Sequence, residues 1–113
     1  MHNIKPLVLE ALESVEGFKD VFQSFPDAFK KLPVASFYEA YNAPQSSADD
    51  DEYLSEITVV VDVWAKTSGE TSALAVETND AMKRVGFVRE FASDINDPES
   101  DIRHKTMRFR LIK

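Results

Sequence analysis

The run from Glu56 to Lys66 limits this chain more than any other stretch. Ile57, Val59, Val61, Val63 and Ala65 fall on one side of an extended backbone. Glu56, Thr58, Val60, Asp62, Trp64 and Lys66 fall on the other. Strand side chains alternate with period two, so one side of this segment is wholly apolar and the other mixed. β-branched residues dominate, and their stiff χ1 suits a pleated surface better than a helix. The spacing predicts a central strand over Tyr53–Thr67 that buries one face.

The tail repeats the pattern. Met107, Phe109 and Leu111 alternate with Arg108 and Arg110. Two strands are expected, Phe87–Ile95 and Ile102–Ile112, joined by the turn-forming Asn96-Asp97-Pro98-Glu99-Ser100. This hairpin packs its apolar side on something and offers guanidinium groups on the other.

Helical spacing appears twice. Ile4, Leu7, Val8, Ala11, Leu12 and Val15 make one apolar stripe, so a helix is expected over Pro6–Val15, with Gly17 as its stop. A second is expected over Glu70–Val85, with Ser68 as N-cap, Lys83 and Arg84 in the last turn, and Gly86 as stop. Between the first helix and the central strand, Phe18–Phe25 is read as a short strand ended by Pro26. Asp27–Leu32 is either a helical turn or a loop. Val34–Tyr41 is read as a strand with mixed faces. Asn42–Glu52 contains Asp49, Asp50, Asp51 and Glu52 and no large apolar side chain. It has little to offset the entropy of ordering, so a mobile acidic loop is expected there. The elements add up to one α+β domain spanning residues 1–113, a mostly antiparallel sheet of four to five strands with two main helices packed on one face.

Composition removes several function classes. A net charge of −7 argues against a general nucleic-acid binder and against an anionic membrane surface, and no specific nucleic-acid partner and no membrane are expected. The chain has no cysteine, which excludes disulfides, thiolate metal sites and a cysteine nucleophile. No apolar run approaches a membrane span, and the start of the chain does not read as a signal peptide. The only glycines are Gly17, Gly69 and Gly86, so no phosphate-cradling glycine loop exists.

Catalysis finds no constellation either. His2 lies at the terminus. His104 shares a strand face with Thr106 and Arg108, and is read as a partly exposed sheet residue among cations that disfavour its protonated form. Asp49–Glu52 lacks the spaced ligands and glycine of a calcium loop. No cofactor is expected. What stands out is charge segregation: Arg103, Lys105, Arg108, Arg110 and Lys113 crowd the end of an otherwise acidic chain. This cluster reads either as solvated strand faces or as a surface that meets acids of another subunit, Asp49–Glu52 or Asp94–Asp101. Trp64 is either covered within its own chain or an anchor at a subunit contact. The candidate interface residues are therefore Asp49, Asp50, Asp51, Glu52, Trp64, Arg103, His104, Arg108 and Arg110.

Three segments carry a resemblance. They are Leu32-Pro33-Val34-Ala35-Ser36-Phe37-Tyr38-Glu39, the run Glu56–Trp64 with its following turn and helix, and Val85-Gly86-Phe87 leading into Ile102–Phe109. With this order of elements, the chain resembles the tail terminator, or tail-to-head joining, proteins of long-tailed bacteriophages and their prophages. The resemblance implies a structural subunit without enzyme activity or cofactor. It implies a hexameric ring that caps the tail tube and docks on the head connector. The partners it implies are further copies, the tail tube protein and the connector protein. The implied location is the head–tail interface of the virion, reached from the host cytoplasm during assembly. It also implies that the acidic loop orders on assembly. A small α+β ligand- or protein-binding adaptor is the competing reading. It needs a deep pocket lined by aromatics such as Phe37, Tyr38 or Trp64, or a free sheet edge.

Overall fold

The computed structural model describes residues 1–44 and 54–113. Helix α1 (Lys5–Glu13) is followed by strands β1 (Asp20–Phe22), β2 (Val34–Pro44) and β3 (Ser55–Ala65), helix α2 (Ser68–Arg84), and strands β4 (Val88–Ile95) and β5 (Arg103–Ile112). The five strands form one sheet in the order β1-β2-β3-β5-β4. Every pairing is antiparallel except β1 with β2. The sheet is therefore mixed but mostly antiparallel, and β3 lies at its centre as its alternation predicts.

Register explains where the core sits. Val61 lies between Phe37 on β2 and Met107 on β5, and Val59 faces Phe109. Ile57, Val59, Val61, Val63 and Ala65 are all sealed from solvent. They pack with Ile4, Val8, Ala11, Leu12 and Val15 of the α1 segment and with Leu74, Ala75, Ala81 and Met82 of α2. Both helices thus cover one face of the sheet. Neither covers the other.

Several local expectations change. Helix α1 ends at Glu13, before Gly17. Gly17 serves instead as a point of close approach, since a Cβ there would stand 2.5 Å from Leu74 Cδ2. The strand expected over Phe18–Phe25 shrinks to Asp20–Phe22, because Phe25 leaves the sheet to pack on aromatic rings of its other face. Asp27–Leu32 is a loop. Within the loop expected over Asn42–Glu52, residues Asn42, Ala43 and Pro44 instead continue β2, pairing with Ile57, Glu56 and Ser55. The Asn42 amide also donates to the His2 carbonyl and to Glu39, each at 3.0 Å, which supplies the order that its lack of apolar bulk does not. The remainder of that expected loop, with Asp49–Glu52, lies outside the described residues.

The N-cap of α2 is Thr67, one residue before the expected Ser68. Its hydroxyl accepts from Glu70 N at 3.1 Å, and the Glu70 carboxylate accepts from Lys66 N at 3.3 Å. The two bonds make a variant of the Thr-x-x-Glu capping box. At the other end, Phe87 N donates to Met82 O and Gly86 N to Lys83 O, both at 3.0 Å. This is the Schellman pattern, and Gly86 takes the left-handed conformation it needs, with φ 102°. An added Cβ would also lie 3.2 Å from Leu111 Cδ1. Gly86→Ala is therefore expected to cost about 1–2 kcal/mol in urea unfolding, with Gly86→Asn losing less. Equal stability of Gly86→Ala and the parent would show that the turn tolerates a side chain.

Candidate interaction surface

The face of the sheet away from the helices is built by the same alternation that builds the core. Its residues are the even set of β3, Glu56 to Trp64, with their cross-strand neighbours. One row across it runs Tyr38, Val60, Arg108, Phe91, and the next Tyr41, Thr58, Arg110, Val88. Bulges between Glu39 and Tyr41 and between Arg89 and Phe91 keep these aromatic side chains on this face. No helix shields the rows. Tyr38, Tyr41, Val88, Phe91, Ile95 and Ile112 are all exposed, Val88 to 68% and Tyr41 to 52%. Contiguous bare apolar side chains of this kind mark a surface that binds something.

Charge threads through the rows. Arg108 is exposed and sits over the Phe91 ring, 5.1 Å from its centroid. It forms no ion pair among the described residues. Arg110 pairs with Glu56 at 2.8 Å. The cationic cluster read from the sequence does not stay together. Arg103 and Lys105 alternate to the opposite side, where Arg103 donates to the Ser100 carbonyl and Lys105 pairs with Asp94 at 3.1 Å. Period two dictates that split, and proximity in sequence hides it.

At one end the face is covered by its own chain. Phe25 and Phe29, from the loop between β1 and β2, pack on Trp64 with ring centroids 5.9 and 4.8 Å away. Trp64 stacks on His104 at 3.6 Å and donates from Nε1 to Ser36 Oγ. His104 Nε2 lies 2.6 Å from Asp62 Oδ1, and Asp62 is buried. The expectation of His104 among cations is corrected: its nearest ionisable partner is a carboxylate. Arg103 and Lys105 flank it in sequence but point to the other side. The strand register sets Asp62 and Trp64 one step apart on the neighbouring strand. A lone acid in a β-branched run was the available signal for Asp62.

A histidine on a carboxylate invites a catalytic reading, and the geometry answers it. The nearby serine, Ser36, accepts from Trp64 rather than donating to His104. A serine nucleophile needs the reverse arrangement. The pocket required by the ligand-binding alternative is also displaced. Phe37 is sealed in the core, and a depression of about 670 Å3 near β1 is lined by Asp20, Phe22, Phe25 and the loop residues Asp27, Lys30 and Lys31.

A sheet with helices on one side, and on the other bared aromatics with an arginine that forms no ion pair among the described residues, defines a two-layer α+β sandwich with one open face. The chain belongs to the family described as Tail completion protein gp17, whose profile matches residues 8–112. It is thus a structural protein of the bacteriophage tail, and the family is a structural one rather than an enzymatic one. Its place is the virion tail, among other tail or head proteins. The solved structure titled "Structure of bacteriophage SPP1 gp17 protein" shares its fold, with a TM-score of 0.59, 18% identity, and coverage of 95% of this chain and 86% of that one. Comparison with curated proteins gave no match.

Proposed function

We propose that this protein caps the tail tube as a ring of its own copies, a hexamer, and joins the tube to the head connector. It is made in the host cytoplasm, from a phage or prophage genome, and enters the virion at the head–tail interface. The observation that carries the reading is the family match over nearly the whole chain. The uncovered sheet face supports it, because a protein that acts by docking needs such a surface and a free-standing enzyme does not. Asp49–Glu52, Trp64, Arg103, His104, Arg108 and Arg110 are the interface candidates, with Arg108 the best placed. Asp94, once a candidate acceptor for another subunit, is already paired within its own chain.

The adaptor reading keeps one foothold. Strand β4 is a free edge of the sheet, able to accept a partner strand. Its bulge, and the charges of Arg89 and Glu90, blunt that use.

Light scattering across concentration and salt, followed by electron microscopy with purified tail tubes, tests the ring. The protein is expected to self-associate in a salt-sensitive way and to mark tube ends. A protein that stays monomeric and ignores tube ends would refute the proposal. Replacing Arg108 and Arg110 by Glu is expected to weaken association at least about tenfold, which is ~1.4 kcal/mol. Folding survives that change, since Arg108 faces solvent and the half-exposed Arg110–Glu56 pair contributes about 0.2–1 kcal/mol. Rings that form at the parent concentration would reduce the cationic face to a solubilising surface.

A further inference from the structure

We propose that in the assembled state the open sheet face of one copy is covered by the outer surface of helix α2 from the next copy. The inference rests on the ring reading and specifies its contact. The occupant must bring apolar area to Tyr38, Tyr41 and Phe91 and negative charge to Arg108. The outer side of α2 has both. Ser72, Ala73, Val76, Glu77 and Asp80 are all exposed and fall on one stripe of the helix. Val76 is 63% exposed, a large apolar residue in mid-helix with no partner in its own chain's core. Ser72 and Ala73 are small enough to admit aromatic rings. Glu77 and Asp80 also line a shallow cleft with Glu16 and Arg84, so three acids outnumber one cation there. Lys83 and Arg84 continue this exposed stripe into the last turn, so its acidic part is the stretch around Glu77 and Asp80.

Geometry favours a helix over a loop as the cover. A helix of 17 residues is about 25 Å long, and four strands span roughly 15–20 Å, so α2 can reach all four strands along an exposed row. The inner side of α2 already packs on the opposite face of an identical sheet. A second helix on the bare face would turn each two-layer unit into a three-layer one, the usual solution for a sheet with two apolar faces. The two surfaces lie on opposite sides of the molecule. Such a contact cannot close as a two-fold dimer; it repeats head to tail, and closes as a ring if the rotation permits.

Charge reversal and cross-linking test this together. Arg108→Glu alone and Glu77→Lys with Asp80→Lys are each expected to raise the concentration needed for assembly at least tenfold. The chain carrying all three changes is expected to return within about threefold of the parent. The chain has no native cysteine, so introduced thiols report cleanly. Val76→Cys combined with Tyr38→Cys, Tyr41→Cys or Phe91→Cys is expected to give, for at least one pair, an oxidised ladder longer than a dimer. Circular dichroism of each variant excludes misfolding. If the parent assembles but reversal does not rescue and no pair gives a ladder, the α2 contact is wrong while the ring stands. Rescue of Arg108→Glu by reversing Asp49–Glu52 instead, a dimer from Tyr38→Cys alone, or loss only of tail-tube binding would each overturn it as well. A parent that never self-associates would sink the ring reading itself.

Discussion

Val61→Asp is expected to leave no stably folded protein. Val61 is fully buried at the middle of the central strand, between Phe37 and Met107, beneath both helices. No hydrogen-bond donor is available to a carboxylate among those apolar neighbours. A buried charge without a partner costs several kcal/mol even after the group neutralises or draws in water. A domain of this size has about 5–15 kcal/mol in total, so one such group removes most or all of it. The neighbouring position supplies the control that nature provides. Asp62 is an acid on the same strand and is equally buried, yet it points to the other face and meets His104. Val61→Ala, which only deletes methyl groups, is expected to cost about 1–3 kcal/mol and to fold. Soluble yield and far-UV circular dichroism with thermal melting distinguish the two. A cooperative melt for Val61→Asp within a few degrees of the parent would mean that this face of β3 is not the core.

Where the physics is local, the sequence announces the structure. The alternation from Ile57 to Ala65 fixes both the strand and its buried side, because period two and β-branching act residue by residue. The same holds for the apolar stripe of α1 and for Gly86, whose place after a basic last turn is a helix-end signature. The α+β class and the phage tail family were legible on those elements together. What escaped was non-local. The parallel pairing of β1 with β2 depends on a loop whose Phe25 and Phe29 are claimed by Trp64, a contact that no spacing reveals. The N-cap was misplaced by one residue because Thr67 and Ser68 are chemically alike, and only the backbone of Thr67, extended at φ −129° and ψ 154°, decides between them. The exposed set Tyr38, Tyr41 and Phe91 was hidden for a different reason. Both faces of β2 carry aromatics, β4 carries Phe91 beside a bulge, and which face the helices cover is a property of the whole sheet.

His104 shows how such a non-local contact is to be measured. His104→Ala is expected to destabilise the domain by about 3 kcal/mol, a fall in melting temperature of roughly 10 °C or more. Three losses combine. The 2.6 Å hydrogen bond between His104 and Asp62 is lost, and a bond of this kind contributes about 0.5–3 kcal/mol. The stack on Trp64 adds about 0.5–1.5 kcal/mol. Asp62, whose Oδ2 has no partner among the described residues, is left buried without the bond that its Oδ1 makes. Asp62→Ala is expected to cost less, because the His104 side chain keeps 15% of its surface in water and can hydrate, whereas Asp62 keeps 2%. The double variant should therefore lie well short of the sum, with a coupling of about 1–3 kcal/mol in a urea double-mutant cycle. Trp64, the chain's only tryptophan, gives the cycle an optical check, since unstacking His104 alters its emission. Additive costs with unchanged Trp64 emission would show that the two side chains merely lie close. Strong coupling would establish that a contact between β3 and β5 pins one end of the open face.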